Sequence, residues 1–239
     1  MENSIYLGLS RQMVLQTDMD IVSNNIANMN TSGYRAQNML FKEYISHPRG
    51  GDEPLSFSYD YGEYKMTNPG SMEQTNNPLN VALNGPGFMA VQLPDGSTAY
   101  TRDGNFHRGA DGTLLSSGNY PVLGQGGPIT LPSDATEISI DEKGNISDQN
   151  GSFAQLQISE FNNVQDMKPQ GNNAYTTKEQ PIAAKKTVAW QGFLEGSNVV
   201  PVKEITKMIE ILRNFQSTQN ILDTENSRLR SAIQKLTQV

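Results

Sequence analysis

The chain has 239 residues, room for one large domain or two modest ones, and its lack of cysteine excludes disulfides, thiolate zinc sites and thiol catalysis together. Its formal net charge of −7 argues against nucleic acid and anionic membrane as default partners. The charge is uneven: residues 46–201 carry nine Lys/Arg against seventeen Asp/Glu, while the residues from 202 onward carry six against four.

The chain opens Met1-Glu2-Asn3-Ser4, without a basic stretch or a long apolar core, and no later run is long enough to span a bilayer. These features predict a protein that is not membrane-inserted and that stays in the cytoplasm or leaves by a route that reads no cleaved leader. Residues 3–29 then predict a first helix. Ile5, Gly8, Gln12, Leu15, Met19, Val22, Ile26 and Met29 recur in alternating steps of three and four, flanked by Leu9 and Met13. The helix is expected to stop in the run Asn24 to Arg35. Short amide and hydroxyl side chains there compete for backbone hydrogen bonds, and Gly33 supplies a residue free to take positive φ. Four asparagines between residues 24 and 30 exceed what a plain cap needs and suggest a specific structural role.

Residues 42–77 are polar and broken by His47-Pro48-Arg49-Gly50-Gly51 and Asn68-Pro69-Gly70, with strand-like alternation in Leu55-Ser56-Phe57-Ser58-Tyr59. They predict an extended hinge between a helical end and a β-rich body. Residues 78–200 read as short strands separated by turns at Asp95-Gly96, Asp103-Gly104, Asp111-Gly112 and Lys143-Gly144. The strand candidates are Val81 to Leu93, Ala99 to Phe106, Ile138 to Ile140, Phe153 to Phe161 and Thr187 to Leu194. They suggest a compact, mostly antiparallel body with Trp190 in its core.

From Pro201 no Pro or Gly interrupts the chain, and Pro201 itself suits a helix start. Ile205, Met208, Leu212, Phe215, Leu222, Leu229, Ile233 and Leu236 form a heptad stripe, with Gln219 and Asn226 filling its two gaps as candidate register-setting residues. A lone helix of this kind is marginal in water, so the stripe calls for a partner. The first helix has the same period and could supply it as a two-helix coiled coil. The division predicted is therefore 1–41, 42–77, 78–200 and 201–239. The fold class is α+β, with N- and C-terminal helices forming a coiled-coil-like helical domain around an inserted, mostly antiparallel β-rich body.

Three motif runs resemble one family. Asn25-Ile26-Ala27-Asn28-x-Asn30-Thr31-x-Gly33-Tyr34-Arg35 is similar to the N-terminal signature of bacterial flagellar rod and hook proteins. Gln191-Gly192-x-Leu194-Glu195-x-Ser197-Asn198-Val199 is similar to their C-terminal shared region. Leu79-Asn80-Val81-Ala82-Leu83-x-Gly85-x-Gly87-Phe88, Tyr100-Thr101-Arg102-Asp103-Gly104-x-Phe106, Gly112-x-Leu114 and Ile129-x-Leu131-Pro132 match the middle. Length and the opening residues most resemble the proximal rod members.

The resemblance implies a structural subunit of the basal-body rod, with no cofactor, that spans the periplasm and transmits torque from motor to hook. Its implied partners are copies of itself, other proximal and distal rod subunits, and the flagellar type III export apparatus. The interface residues expected are Ile5, Leu15, Met19, Val22 and Ile26 on the first helix, facing the stripe from Ile205 to Leu236 on the last. The alternatives left open are a distal rod or hook subunit, and an acidic β-rich carbohydrate hydrolase using a carboxylate pair. With only His47 and His107 and no Cys, a His/Cys metal cluster is excluded and a Ser-His-Asp triad has little to stand on. Asp95, Asp103 and Asp111 are explained more simply by turn geometry than by catalysis. Gly85-Pro86-Gly87 and Gly124-Gln125-Gly126-Gly127 lead into no helix that could cradle a phosphate.

Overall fold

The computed structural model describes residues 2–46, 54–135 and 137–237, with side chains from residue 5 onward. His47 and the breaker run Pro48-Arg49-Gly50-Gly51 therefore lie outside the described residues. The chain divides into two compact units. The first comprises Met1–Ala27, Gln37–Met66 and Val200–Val239, and the second Asn28–Ala36 and Thr67–Val199.

The first unit holds α1 (Glu2–Ala27), the hairpin β1 (Gln37–Ser46) with β2 (Leu55–Lys65), and α2 (Pro201–Thr237). α2 opens on a proline and carries Glu204 in its first turn and Lys235 in its last, both favourable to the helix dipole. The two helices run antiparallel. Gln12 donates to Gln219 at 2.7 Å, and Lys207 pairs with Asp18 at 2.7 Å. Gly8 has a packing reason: a Cβ there would lie 2.6 Å from Cδ2 of Leu222. The segment expected to be a hinge contains most of the hairpin, whose register shifts between Leu40 and Phe41, a bulge that adds twist. The hairpin joins the helices through a small cluster of Val14, Ile21 and Met39. A two-stranded ribbon needs such backing, because alone in water it is marginal.

The second unit is the β body. In chain order it contains β3 (Met72–Gln74), β4 (Val81–Asn84), β5 (Phe88–Gln92), β6 (Thr98–Thr101), β7 (His107–Arg108), β8 (Leu114–Leu115), β9 (Leu123–Gly124), β10 (Gly127–Pro128), β11 (Ser139–Ile140), β12 (Asn145–Asp148), β13 (Gly151–Gln155), β14 (Ile158–Glu160), β15 (Lys168–Gly171), β16 (Ala174–Thr176), β17 (Ile182–Ala183), β18 (Val188–Gln191) and β19 (Phe193–Glu195). A six-stranded antiparallel sheet, β15-β16-β6-β5-β14-β17, organises it. Side chains alternate across that sheet with period two. Met89, Val91 and Ala99 join the larger core with Phe106, Leu114 and Ile146, while Phe88, Ala90 and Tyr100 pack with Phe161, Met167 and Tyr175.

Three expectations are corrected here. The apolar run from Val81 to Leu93 is two strands, turned at Gly85, whose φ is +133°. Trp190 is not core. It is 37 % exposed and meets the ring of Phe193 edge-on at 5.9 Å, because the phase of β18 turns Ala189 inward instead. Asp103-Gly104 is not an exposed hairpin corner. Asp103 is buried, and a Cβ at Gly104 would run into the carbonyl of Val81. Asp95, Asp111 and Asp141 do cap turns, each accepting from a backbone N–H two residues on, with Gly96, Gly112 and Gly144 at positive φ beside them.

Candidate functional site

The sequence feature with the clearest structural consequence is the corner Asn28–Ala36. Thr31 N–H donates to the Asn28 carbonyl at 3.2 Å and its hydroxyl to Asn28 Oδ1 at 3.2 Å, closing the turn that stops α1. Gly33 has φ +68°, and a Cβ there would lie 2.5 Å from the Arg102 carbonyl carbon and 2.6 Å from the Asp103 nitrogen. Only glycine fits both the conformation and the space. Tyr34, Arg35 and Ala36 follow, all buried.

Arg35 reaches a single carboxylate. Its Nη2 lies 2.6 Å from Glu195 Oε1, and Arg102 Nη1 lies 3.3 Å from Glu195 Oε2. Arg35 Nη1 also donates to the carbonyls of Thr67, at 3.1 Å, and Asn68. Arg102 donates to the carbonyls of Leu83, at 3.0 Å, and Gly85, and its guanidinium lies over the ring of Phe88 at 5.2 Å. Gly70 N–H donates to Glu195 Oε1 at 3.2 Å.

A second side chain completes the arrangement. Asn198 Oδ1 accepts from Ala36 N–H at 2.7 Å, and its Nδ2 donates to the Asn68 carbonyl at 2.8 Å. Gly33 N–H donates to the Glu195 carbonyl at 2.8 Å, Asn198 N–H to the Tyr34 carbonyl at 3.3 Å, and Gly196 N–H to the Ser71 carbonyl at 2.7 Å. Segments 33–36, 67–71 and 195–198 are thus bound side by side within the body. They are the segments in which the chain leaves the body, re-enters it and leaves it again.

The electrostatics are unbalanced. Two buried guanidinium groups share one buried carboxylate. Arg102 is pushed down to about 10, chiefly by burial and further by Arg35, against the pull of Glu195 upward. Burial also lowers Arg35, opposed by Glu195 and Tyr175. Both remain cationic near neutrality. Arg102 Nε is buried without a hydrogen-bond partner, so the cluster is held by geometry rather than by full satisfaction.

Asp103 lies next in the chain. Burial pushes its carboxyl above the usual range, partly offset by hydrogen bonds from Ser117 and from the Asn105 N–H. Its stabilising contribution is therefore full below the unfolded pKa and declines as pH rises through the folded one. Asp95, Asp111 and Asp141 act oppositely. Hydrogen bonds from Ser97, Thr113 and Asn145 respectively hold them low, so their contribution declines as pH falls. Asp103→Asn is expected to gain melting temperature relative to the parent on going from pH 4 to pH 7, in thermal unfolding followed by circular dichroism. An unchanged difference between the two pH values would contradict this assignment.

In the first unit, Asn25 of the signature is fully buried. Its amide makes a two-way exchange with Gln37, donating to the carbonyl at 2.8 Å and accepting from the N–H at 3.0 Å. It donates also to Glu204 Oε2 at 3.1 Å. Ile26 is half-buried, Ala27 is exposed at the last turn of α1, and Asn30 is exposed. On α1, Val22 is buried, and Ile5, Leu15, Met19 and Ile26 are half-buried.

On α2 the inward line differs from the stripe that the apolar residues suggest. Leu222 is buried, and Met208, Phe215 and Leu229 are half-buried. The alternate inward positions are Glu204, Ile211, Thr218 and Glu225, while Ile205, Leu212, Gln219, Asn226, Ile233 and Leu236 are exposed. Three-four stepping admits both lines, because they share every seventh residue. The polar Glu204, Thr218 and Glu225 disguised the inner one. Val202, Ile205, Ile209 and Leu212 leave a second apolar stripe on the outer side, each between 46 and 74 % exposed.

Arg35, Arg102 and Glu195 were part of the motif runs but were not singled out as a site. Their only sequence signal is a charge inside each of three glycine-bearing motifs, alone in two of them and beside Asp103 in the third. The three aspartates considered for hydrolase chemistry are committed elsewhere: Asp95 and Asp111 to their own turns, Asp103 to Ser117 and Asn105.

Comparison with known proteins accounts for this layout. Residues 5–35 match the family model described as flagella basal body rod protein. Residues 82–148 match that of the flagellar hook protein FlgE/F/G D1 domain, and residues 191–235 that of the flagellar basal body rod FlgEFG protein C-terminal region. The chain is 35 % identical to the flagellar basal-body rod protein FlgF of Caulobacter vibrioides, across 99 % of this chain and 98 % of that one. It is 31 % identical to FlgF of Mesorhizobium japonicum over 99 % and 98 %, and 32 % identical to FlgG of Bacillus subtilis over 98 % of each. The corner, the body and the last helix thus each carry a rod-family match in the order in which they occur, and the chain belongs to the flagellar basal-body rod protein family, as a FlgF-like structural subunit.

Proposed function

We propose that the first unit is the module through which this subunit assembles. Its helices pack in a coiled-coil-like manner on their inner sides. Their outer sides meet copies of the chain and other rod subunits, proximal and distal, to build a helical tube that passes torque from motor to hook. The observation that carries this reading is the outer apolar stripe of α2, Val202, Ile205, Ile209 and Leu212, on a chain whose inner stripe is already covered. Exposed Tyr6, Leu9 and Met13 continue the same character on α1. Leu40, Phe41, Tyr44, Ile45, Tyr59 and Tyr61 do so on the hairpin. A patch meeting a different patch on the next copy makes an open helical assembly where the rotation between copies does not close a ring. A subunit of this kind acts by packing, not by turnover. It reaches the rod, across the periplasm, through the flagellar type III export apparatus.

The native chain has no cysteine, so a single one reports cleanly. Ile209→Cys is expected to react rapidly with a maleimide in the purified chain and to be protected in isolated basal bodies. Equal labelling in both would remove α2 from the interface. No helix among the described residues is long and apolar enough to cross a membrane, so the exposed stripe is not a membrane span.

A further inference from the structure

We propose that Glu195 is a latch: the corner Asn28–Ala36 docks on the body only when the last strand, β19, brings this carboxylate between Arg35 and Arg102. The inference concerns the body alone and stands whether or not the first unit is the assembly module.

Three observations carry it. First, three of the hydrogen bonds that fix the corner are made with residues beyond 190, beside those from Arg35 to the Thr67 and Asn68 carbonyls and from Asn173 Nδ2 to the Ser32 carbonyl. Gly33 N–H donates to the Glu195 carbonyl, Ala36 N–H to Asn198 Oδ1, and Asn198 N–H to the Tyr34 carbonyl. Second, the Thr67–Ser71 segment that receives Arg35 is itself held by the same late residues, through Gly70 to Glu195, Asn68 to Asn198 and Ser71 to Gly196. Third, without Glu195 the docked corner would place Arg35 near Arg102 in a buried site with no counter-charge, and two like charges in a poorly hydrated site repel. The undocked corner returns Arg35 to water, so the open form wins until the carboxylate arrives. The larger core, with Val91, Phe106, Leu114 and Ile146, contains no residue of the cluster. It can therefore form first. Closure is then a separate step, in which two segments bind together, and it depends on a residue 160 positions from Arg35 in sequence. A chain still missing its last strand keeps its signature corner open.

The test is native-state hydrogen exchange on the full chain, comparing the parent with Glu195→Gln and with Arg35→Met. Glu195→Gln keeps the shape and removes the charge. It is expected to lower protection of the Gly33, Ala36 and Gly70 amides together, by about two orders of magnitude, while the Val91 and Leu114 amides fall by no more than that and stay well above the corner. Arg35→Met leaves Arg102 and Glu195 as a balanced pair. It is expected to loosen Gly33 and Ala36, with Val91 again the better protected. Combining the two substitutions should cost the corner less than the sum of the single losses, because no surplus charge remains on Arg35. Parent-like protection at Gly33 and Ala36 in Glu195→Gln would overturn the latch. So would a Glu195→Gln chain that does not fold, or one in which Val91 is no better protected than the corner, since closure would then be inseparable from the core.

Discussion

Glu195→Ala is expected to lower the unfolding free energy of the β body by about 3–5 kcal/mol, the cost typical of removing one partner from a buried ion cluster. Three effects combine. Two guanidinium groups lose their counter-charge, Gly70 N–H loses its acceptor, and a cavity opens at a position almost without solvent exposure. The loss is bounded by what docking of the corner contributes, because an undocked corner hydrates Arg35 again. Domains of this size commonly hold roughly 5–15 kcal/mol in all, so the effect takes a large share. Denaturant titration reads it as a fall in midpoint; some fall in slope is expected too, since the opened corner already exposes surface. By contrast, removing the exposed Arg228, which pairs with Glu225 one turn away on α2, should cost at most a few tenths of a kcal/mol. A Glu195→Ala loss of that smaller size would mean that the cluster decorates the fold rather than holding it.

How legible these features were depends on whether the physics is local. α1 and α2 follow from a repeat that any helix must bury somewhere, and the antiparallel body follows from alternation between turn residues. The Asp-Gly corners at Asp95 and Asp111 were readable because their geometry is settled within four residues. Asp103-Gly104 looks the same in sequence, yet its role is set by Ser117 and by the carbonyl of Val81, which are close only after folding. The Arg35–Glu195–Arg102 cluster is the extreme case. No window of the chain contains two of its members, so only the motif resemblance brought them into view. The line of α2 that faces α1 is hard to read for a different reason. Apolarity marks the surfaces that are buried eventually, and a chain that is to be covered by neighbours carries apolar residues on more than one side. Ile205 and Leu212 outrank Glu204, Thr218 and Glu225 on hydropathy, while contact with α1 selects the latter.

That second, outer stripe gives the other large expected effect. Val202, Ile205, Ile209 and Leu212 touch water in the single chain, so replacing all four with glutamine removes little native packing. Glutamine is also a good helix former, and exposed substitutions of this kind usually shift stability by about half a kcal/mol or less each. If the stripe is an interface, the same change removes the desolvated centre of a contact repeated at every subunit, and assembly should fail outright. Few substitutions separate folding from assembly so cleanly, because inward residues such as Leu222 serve the helix pair itself.

The most direct measurement is therefore incorporation of the Val202→Gln, Ile205→Gln, Ile209→Gln, Leu212→Gln chain into basal bodies, in cells lacking the parent gene, alongside the circular dichroism of the purified protein. The predicted result is a parent-like spectrum and melting curve, with no subunit in isolated basal bodies and no motility. Normal incorporation and swimming with all four residues replaced would contradict the account.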